Sequence, residues 1–514
     1  MKFRIKDYHE IREKVAAMDI ADLIRWVICP NIYVGNPLPL NTNAVFIHKA
    51  TIEQGQAITA QINSGREIPA LIAADMESGA GSVIEGSVRF QPMRALKEAG
   101  NPQYAYEMGV IAAKDAVRAG YHWTFAPCVD ILGNPMNPIT SLRTAGGDPQ
   151  DVIDYCGAYM RGLQDTGLIA TLKHFPGDGY SMDDQHVTVT ENPLSRQEWM
   201  DTFGKVYRTL IDQGAMTIMP GHISLPAYDE PDKNGVYPPA TVSKNLLTGL
   251  LREQLGFDGI IVSDAVEMGG FCGYMNYYHA CAAFLEAGGD CLLFVHESDE
   301  LLREMKKCID EGRLTLQTLQ NRAYRMACFA KQAAENRVIP EDLTYDRDAA
   351  EALSERITRS AVKIVRDRNG ILPFDFKGKR IAHVVLHNSW VRNFSQVEGL
   401  TAELAQIAEK VEEIRDPGPR KLEEIAKSGE WDLIVCSVHE GPEWAVNTAK
   451  LCGAAARNMM RGWMRFDTPV AFVVWYSICF EKTYFAVADT VINTYGATKY
   501  TPKAVADLLQ GNNM

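Results

Sequence analysis

The sequence predicts an α/β protein with two domains, a (β/α)8 barrel of the TIM type followed by a smaller three-layer α/β domain. The chain has 514 residues, which is more than one domain usually holds. Its first part alternates short apolar runs with longer segments of helical periodicity, and this alternation is typical of a parallel sheet. About eight such units over ~340 residues favour a closed barrel over an open sheet.

The apolar runs are the predicted strands of the barrel, which is expected to occupy residues 1–340. In chain order they are NAVFIH, PALIAAD, HWTFAPCVD, LIATLKHF, AMTIMPGH, GIIVSDAV and CLLFV. The segments between them, such as TIEQGQAITAQINSG and SKNLLTGLLREQLG, carry apolar residues at helical spacing. They are therefore predicted to be the helices that connect neighbouring strands.

A polar helical segment, ENRVIPEDLTYDRDAAEALSER, follows the barrel pattern and predicts a connector at residues 341–358. A second α/β pattern comes after it, with apolar runs RIAHVVL, WDLIVCSV, PVAFVVWY and DTVINTYG and intervening helices such as ARNMMRGWM. We expect these elements to form the second domain over residues 359–514. The pattern GxGxxG is missing from it, so a dinucleotide site is not expected.

Composition narrows the classes of partner. The formal net charge is -13, which argues against a non-specific hold on nucleic acid or on an anionic membrane. A sugar or a small phosphate as ligand stays open, because local fields can oppose the net charge. The first residues resemble no signal peptide, and no uncharged stretch is long enough to span a bilayer. The eleven cysteines are scattered without a CxxC pair, which favours buried thiols and a cytoplasmic location.

Polar residues end several of the predicted strands, and this places a candidate site. They are Asp75, Asp130, His174, His222 and Asp264. Barrel enzymes build their active sites at the carboxyl ends of the strands. One such residue would be weak evidence, because strand ends are often polar for solvation alone. Five on one rim predict an active site there.

The stretch KHFPGDGYSMDDQH concentrates ionisable groups around a loop. Lys173 and His174 end a strand, so at least one of the two is expected to point into the barrel mouth. Gly177 and Gly179 are predicted to make the following loop mobile. No structural need for a turn explains so many charges in so short a segment.

Asp184 and His186 close that loop and are two residues apart, so their side chains leave an extended chain on the same side. A carboxylate beside an imidazole orients the ring and raises its pKa, which prepares it to donate and accept a proton. The alternative is an ordinary surface loop. Asp264 has its own alternative as a helix N-cap, and Arg143, in a loop rich in Gly and Pro, is either a ligand clamp or a surface ion pair.

Taken together, these segments resemble family 3 glycoside hydrolases, and among them the bacterial β-N-acetylglucosaminidase branch. That branch carries KHFPG-x-G and, four residues later, D-x-H, as this chain does. Its nucleophile segment is matched by GFDGIIVSD, and further matches are PPATVSKNLLTGLLREQLGF, DMESG and RTAGGDP. The motifs are co-linear over residues ~20 to 340 and continue more weakly through ITRSAVKIVRDRNGILPF.

The resemblance implies a retaining exo-β-N-acetylglucosaminidase that removes terminal β-linked N-acetylglucosamine from a small carbohydrate. In it Asp264 is the nucleophile that forms a covalent glycosyl-aspartate, His186 is the acid/base and Asp184 orients His186. Residues implied to bind the sugar are Asp75, Arg143, Lys173, His174 and His222. No cofactor and no metal are implied, inorganic phosphate is an alternative acceptor to water, and a cytoplasmic enzyme of this branch suggests recycling of cell-wall fragments.

Some positions depart from the branch pattern. The DQEGG-like segment is DMESGAG here, and the basic residue usual a few positions later is not evident in GSVIEGS. Asp178 stands where His or Leu is frequent, and Gln185 replaces a small hydroxyl residue. These changes leave the catalytic pair intact and bear on the aglycone and on the preference for a 2-acetamido group.

Three alternatives remain at this stage. A β-glucosidase or β-xylosidase of the same family would use a Glu as acid and would lack the D-x-H loop. A metal-dependent barrel hydrolase could gather His174, His186 and His222, but no H-x-H pattern or set of spaced carboxylates supports it. A non-catalytic sugar-binding descendant would have lost the nucleophile or the histidine, and both are present.

Overall fold

The structure, a computed structural model, describes residues 2–440 and 444–512. The chain divides into two compact units. The first comprises residues up to 89, 102–133 and 146–347, and the second comprises 90–101, 134–145 and the chain from 348 onward. The predicted division was linear, and the segments 90–101 and 134–145 depart from it.

Side-chain contacts explain why the segment 90–101 groups with the second unit. The Gln91 amide donates hydrogen bonds to the hydroxyls of Thr358 and Thr501. Glu98 forms an ion pair with Lys363 at 3.0 Å. All of these partners lie more than 250 positions further along the chain, so local sequence patterns do not reveal the grouping.

The first unit is built on parallel strands. They are β1 (Ile28–Cys29), β2 (Asn31–Ile32), β3 (Ala44–Ile47), β4 (Leu71–Ala74), β5 (Trp123–Thr124), β6 (Ile169–Phe175), β7 (Thr190–Glu191), β8 (Thr217–Pro220), β9 (Ile223–Ser224), β10 (Ile260–Ile261) and β11 (Leu292–Leu293). One sheet runs in the order β10-β8-β6-β5-β4-β3-β2, β1 pairs with β11, and β7 pairs with β9.

Two observations close this sheet into a barrel. Pro30, which has no N–H to donate, separates β1 from β2, so one chain segment pairs with β11 on one side and with β3 on the other. A parallel bridge between Val262 and Cys291 joins the end of β10 to the start of β11. Counting β1 and β2 as one strand, eight strand positions complete the ring. The predicted barrel is confirmed, and all seven predicted runs contain a strand.

Helices connect the strands of the first unit. They are His9–Ala16, Ile20–Trp26, Ile52–Asn63, Pro102–Arg118, Pro149–Asp165, Arg196–Asp201, Phe203–Asp212, the π-helix Asn245–Gln254, Gly269–Cys272, Tyr277–Ala287, Asp299–Asp310 and Leu316–Asn336, with 3-10 turns at Ala80–Ser82 and Ala240–Val242. Helix Ile52–Asn63 begins after Thr51, whose side chain accepts a hydrogen bond from the Gln54 backbone in a capping box. Residues 33–43, all of them described, connect β2 to β3 without a helix.

The barrel interior is packed rather than hollow. Trp123 on β5 is fully buried, and its indole N–H donates to the hydroxyls of Thr171 and Thr217 at 2.8 and 3.0 Å. These hydroxyls lie on β6 and β8, so one side chain ties three neighbouring strands together. The indole N–H of Trp123 and the hydroxyls of Thr171 and Thr217 are therefore buried with hydrogen-bond partners.

The second unit contains a six-stranded sheet. Its strands are β12 (Lys363–Asp367), β13 (Arg380–His387), β14 (Lys410–Arg415), β15 (Leu433–His439), β16 (Val470–Trp475) and β17 (Thr490–Asn493). They lie in the order β12-β17-β16-β15-β13-β14, with only β12 antiparallel. The four predicted runs are β13, β15, β16 and β17. The two missed strands are polar, half-exposed edge strands.

Helices cover both faces of this sheet. They are Met93–Glu98, Arg347–Ala361, Ser395–Ile407, Pro419–Lys427, Gly453–Arg457, Cys479–Thr483 and Thr501–Gln510, with a 3-10 turn at Trp463–Arg465. Along β13, Ile381 and Val385 belong to one hydrophobic core, while Val384 and Leu386 belong to the other. Successive strand residues face opposite sides, and the predicted three-layer domain is confirmed.

The helix predicted over ARNMMRGWM is wrong for most of its length, since a regular helix there ends at Arg457. Gly462 has a φ of 64°, and the buried Trp463 donates its indole N–H to the Asn458 carbonyl at 2.6 Å. The chain therefore turns to bury the indole instead of continuing the helix. No helix within residues 2–440 and 444–512 has the length and hydropathy of a membrane span.

Candidate active site

The barrel brings the predicted strand-end residues together at one rim. Ion pairs and hydrogen bonds connect β4 to β6, β6 to the loop after β5, and β6 and β8 to the end of β10. Five side chains take part: Asp75, Asp130, His174, His222 and Asp264. The prediction that these residues converge at the carboxyl ends of the strands agrees with their contacts.

Asp264 follows β10, and its carboxylate is hydrogen-bonded to the backbone of the next residue. Its Oδ1 accepts a hydrogen bond from the Ala265 N–H at 2.8 Å, and its Oδ2 lies 3.8 Å from Nε2 of His174. Only 14% of the side chain is exposed. Burial by itself would raise the pKa of Asp264, but His174 and other basic side chains at the rim hold it below its ordinary value. The group is therefore a carboxylate at neutral pH.

His174 is oriented by Asp130. Its Nδ1 lies 2.7 Å from Oδ2 of Asp130, and its backbone N–H donates to Oδ1 of the same carboxylate at 3.1 Å. Both residues are buried. A carboxylate can only accept, so Nδ1 carries the proton, and the other ring nitrogen, Nε2, faces Asp264.

Lys173 is a buried cation between two acids. Its Nζ lies 2.9 Å from Asp75 and 2.8 Å from Glu77, and only 5% of its side chain is exposed. The pairing of β6 with β8 shifts register between Lys173 and Phe175. At such an irregularity a strand can re-aim its side chains, and here both Lys173 and its neighbour His174 reach the rim.

Glu77 was not singled out from the sequence, although it lies in the DMESG segment. Its partner, Lys173, lies 96 positions later in the printed sequence. A charged residue two positions after a strand-end aspartate is a weak signal by itself, because surface acids are common. Glu77 follows β4 and Lys173 lies on β6, and the pairing of β4 with β5 and of β5 with β6 brings the two side chains together.

Asp184 and His186 form a second Asp–His pair. Nδ1 of His186 lies 2.6 Å from Oδ1 of Asp184, and the same oxygen accepts the His186 backbone N–H at 2.8 Å. Asp184 is fully buried, whereas 23% of the His186 side chain is exposed. The His186 carbonyl accepts a hydrogen bond from the Gly269 N–H at 2.8 Å, so the loop that carries the pair contacts the segment that follows Asp264. The surface-loop alternative does not fit these contacts.

His222 is enclosed within the protein. Its exposed fraction is 0%. Its Nε2 lies 3.0 Å from the Ala265 carbonyl and its Nδ1 lies 3.1 Å from the Thr241 hydroxyl. Burial lowers the pKa of His222, although Asp264 opposes this effect. Both ring nitrogens thus bind groups of the protein.

The loop glycines have a role that the sequence did not predict. A Cβ on Gly177 would lie 2.1 Å from the Phe203 ring, and a Cβ on Gly179 would lie 2.0 Å from the Ile131 carbonyl oxygen. Both glycines are buried and have positive φ. Close packing therefore explains them, where mobility was expected.

Arg143 lies in the second unit, in the segment 134–145. It is half-buried, and its N–H donates to the Thr140 carbonyl at 2.8 Å. Its assignment as a sugar-binding residue stays a prediction, because the other predicted site residues belong to the first unit.

One group at the rim has the composition of a metal site. Potential ligand atoms of Cys128, Asp130 and His174 lie within 4.8 Å of one another. The Asp130 and His174 atoms are 2.7 Å apart, which is a hydrogen-bond distance and too short for two ligands of one ion. We interpret the group as a carboxylate–imidazole pair beside a buried thiol.

The sequence profile described as "Glycosyl hydrolase family 3 N terminal domain" matches residues 4–328. This match covers most of the chain and all of the barrel strands. The chain belongs to glycoside hydrolase family 3. It is therefore a glycoside hydrolase, and the resemblance on which the sequence prediction rested is confirmed.

Known proteins are similar to this chain over different shares of its length. A "Beta-N-acetylglucosaminidase/beta-glucosidase" from Cellulomonas fimi is 28% identical over 531 aligned positions, covering 98% of this chain and 93% of the relative. A "Beta-hexosaminidase" from Methylobacillus flagellatus is 32% identical, covering 49% of this chain and 73% of the relative. The solved structure "Beta-glucoside phosphorylase BglX" has a TM-score of 0.87 at 25% identity, with 100% and 96% of the two chains covered.

Proposed function

We propose that this family 3 enzyme is a retaining β-N-acetylglucosaminidase that removes terminal β-linked N-acetylglucosamine through a covalent glycosyl-aspartate. The observation that carries the proposal is that the loop holding the hydrogen-bonded Asp184–His186 pair contacts, at Gly269, the segment that follows the ionised Asp264. A retaining mechanism needs one group to attack the anomeric carbon and a second to donate a proton to the leaving oxygen.

Asp264 is suited to the attack. Its pKa lies below the ordinary value because the basic side chains at the rim outweigh its burial. The Ala265 N–H holds Oδ1 in place at 2.8 Å, so we assign Oδ2 as the attacking atom. An ordered carboxylate loses little rotational freedom when the glycosyl-enzyme forms.

His186 is suited to the proton transfer. Because Nδ1 is engaged with Asp184 at 2.6 Å, we assign Nε2 as the atom that protonates the leaving oxygen and then accepts a proton from the incoming acceptor. A histidine is neutral after giving up its proton, whereas a glutamate would be anionic. An anionic base ~4 Å from an anionic acceptor would repel it by about 1 to 4 kcal/mol, depending on the dielectric. The neutral imidazole therefore admits phosphate as well as water.

The remaining residues at the rim divide into two roles. Asp75, with 45% of its side chain exposed, and Lys173 and His174 are proposed to bind the sugar hydroxyls. His222, which is buried and bonded through both ring nitrogens, is proposed to position the rim rather than touch the sugar. Arg143 is proposed as a ligand of the same sugar.

The substrate assignment is supported by the D-x-H loop and by relatives named for N-acetylglucosaminide and hexosaminide cleavage. The first of these relatives is also named a β-glucosidase, so a β-glucosidase is the competing assignment. The likeness to a β-glucoside phosphorylase and the neutral base together favour phosphorolysis as a second activity. A cell-wall fragment in the cytoplasm is the proposed natural source of the substrate.

A panel of nitrophenyl glycosides, assayed with and without inorganic phosphate, tests these proposals. We expect faster cleavage of the β-N-acetylglucosaminide than of the β-glucoside, and a share of sugar 1-phosphate, identified by 31P NMR, when phosphate is present. Cleavage of β-glucosides with no action on the 2-acetamido substrate would replace the proposal with its competitor. Water-only products at high phosphate would remove phosphorolysis and leave the hydrolase.

Trapping tests the nucleophile separately. An activated 2-fluoro glycoside should accumulate as a glycosyl-enzyme, and peptide mass spectrometry should locate the label on Asp264 within the segment GFDGIIVSD. A label on any other carboxylate would overturn the assignment of the nucleophile.

A further inference from the structure

Gln185 lies between Asp184 and His186 and connects their loop to two other parts of the barrel. Its exposed fraction is 0%. Its side-chain Oε1 accepts a hydrogen bond from the His222 backbone N–H at 2.8 Å, and its backbone carbonyl accepts one from Gly270 at 3.2 Å. One residue thus ties the loop both to the end of β8 and to the helix that follows Asp264.

His222 continues the connection toward the nucleophile. Its Nε2 lies 3.0 Å from the Ala265 carbonyl, which can only accept, so Nε2 donates. The other ring nitrogen then accepts from the Thr241 hydroxyl at 3.1 Å. Ala265 directly follows Asp264. A hydrogen-bonded path therefore runs from Gln185 through His222 to the residue next to the nucleophile, and we call Gln185, His222 and Ala265 the strap.

The packing around the strap leaves no space for a side chain at position 270. A Cβ on Gly270 would lie 2.7 Å from the Gln185 carbonyl oxygen and 2.6 Å from the His222 Cβ. The Gly269 N–H also donates to the His186 carbonyl at 2.8 Å. The helix Gly269–Cys272 begins with two glycines where the loop approaches most closely, so the loop is seated against the segment that carries the nucleophile.

The glutamine side chain carries an energetic penalty that its position must offset. Among the described residues, its Nε2 is buried without a hydrogen-bond partner. Unpaired buried donors destabilise a fold and call for an explanation. The orientation of the amide is fixed by its partner, because the His222 N–H requires an oxygen opposite it. The acceptor function at the strap explains why an amide occupies this position.

We propose that Gln185 is a positioning residue that fixes the acid/base His186 relative to Asp264 through the strap. The proposal rests on the acid/base function proposed above for His186. It goes beyond that function because it makes the separation of the two catalytic groups depend on a third side chain that contacts neither substrate nor reacting atoms. In this chain the acid/base is held in place before the substrate arrives.

The first test removes the acceptor and keeps the volume. Gln185→Met should lower kcat/KM, which reports the step that expels the leaving group, about 10- to 100-fold on substrates with poor leaving groups, because these need the proton. It should change kcat/KM on activated aryl glycosides by less than about 3-fold. Gln185→Glu retains an oxygen opposite the His222 N–H and should restore most of the lost rate. Equal losses on both substrate classes would overturn the proposal.

Gln332→Met is the matched control. Gln332 is also a buried glutamine of the first unit whose Oε1 accepts a backbone N–H at 2.8 Å, from Lys6. It lines a cavity beside Ile169 and Met216, at the other ends of β6 and β8. The same change there should alter thermal stability without distinguishing the leaving groups. A leaving-group effect from Gln332→Met would show that loss of stability alone produces it.

The second test does not depend on the function of His186. Hydrogen exchange followed by mass spectrometry should show faster exchange in Gln185→Met for peptides covering residues 181–188 and for the His222 amide. Unchanged exchange in these segments would contradict the proposal that Gln185 ties the loop to His222. If His186→Ala fails to discriminate between leaving groups while the exchange result holds, the acid/base assignment fails and the strap remains as a structural tie.

Discussion

Two edges of parallel sheets in this chain carry buried acids beside histidines, and they treat the charges in opposite ways. At the barrel rim, the basic groups that oppose burial hold the pKa of Asp264 below its ordinary value. At the end of β15 in the second unit, burial raises the pKa of Glu440 to about 7 and lowers the pKa of His439 to about 4. The acid of the first edge is ionised at neutral pH, whereas the acid of the second edge keeps its proton up to about pH 7.

Burial alone does not separate the two edges, because both acids are largely enclosed. The difference lies in the partners. Asp264 has His174 3.8 Å away and further basic groups nearby, whereas Glu440 accepts a hydrogen bond from the Leu451 N–H at 3.2 Å and one from the Ser477 side chain. Its Oε2 has no hydrogen-bond partner among the described residues. A carboxylate must be ionised to act as a nucleophile, so the first arrangement suits the proposed role of Asp264.

The largest effect is expected from Asp264→Ala. Removing the proposed nucleophile should lower kcat by about 10³-fold or more, because the covalent step needs a carboxylate at this position. Thermal unfolding and circular dichroism should show that the fold is intact. Turnover near that of the parent enzyme would show that Asp264 is not the nucleophile.

The next effect concerns the Asp184–His186 pair. His186→Ala should lower kcat/KM about 10²- to 10³-fold on substrates with poor leaving groups and far less on activated aryl glycosides. Asp184→Ala should show the same preference more mildly. Steady-state kinetics on the two substrate classes measures this.

Asp130→Asn is a contrasting variant. Asp130 orients His174, which lies beside the proposed nucleophile, and does not orient the proposed acid/base, His186. The fall in kcat/KM caused by Asp130→Asn should be similar for substrates with poor leaving groups and for activated aryl glycosides. Equal losses for His186→Ala on both classes would remove His186 from the acid function.

Lys173→Met is expected to have a smaller effect. It removes the cation that lies 2.9 and 2.8 Å from Asp75 and Glu77, so the two carboxylates repel each other and a proposed sugar ligand is lost. We expect KM to rise about 10-fold and the free energy of unfolding to fall by about 2 kcal/mol, since Asp75 stays solvated. Lys205→Met, at an exposed lysine near Gln150, is the control. An unchanged KM would exclude Lys173 from sugar binding.

The smallest effect on turnover is expected at the second edge. Glu440→Gln, like Glu440→Ala and His439→Ala, should leave kcat within about 3-fold, because the proposed nucleophile and the proposed acid/base both lie in the barrel. A loss as large as that of Asp264→Ala would show that the second unit supplies a catalytic group.

We expect Glu440 to affect the pH dependence of the free energy of unfolding rather than turnover. The folded state keeps the Glu440 proton to about pH 7, while the unfolded chain loses it near pH 4.5. The folded state therefore binds more protons between these values, and the free energy of unfolding should fall by up to about 3 kcal/mol as the pH rises through this window. Urea unfolding at pH 5 and pH 8 should show this fall in the parent protein and a smaller one in Glu440→Gln. The same fall in both would contradict it.

The sequence by itself determined the two-domain α/β architecture and most of the rim. Apolar runs mark buried strands because burial is a local requirement of each strand, and a polar residue at the end of such a run marks the edge where barrels place their sites. That logic found Asp75, His174, His222 and Asp264, and the D-x-H spacing found the pair of Asp184 and His186.

Only the tertiary structure decided which of these groups contact each other and which are enclosed. Strand pairing brings Glu77 to its ion-pair partner, Lys173. The Gln185 side chain accepts a hydrogen bond from the distant His222 N–H. Segment 90–101 belongs to the second unit because it contacts residues far along the chain. The closure at Pro30 and the polar edge strands β12 and β14 were likewise missed. The physical reason is the same in each case: periodicity is encoded locally, whereas register, ring closure and the pKa of a buried group depend on neighbours that lie far apart in the sequence.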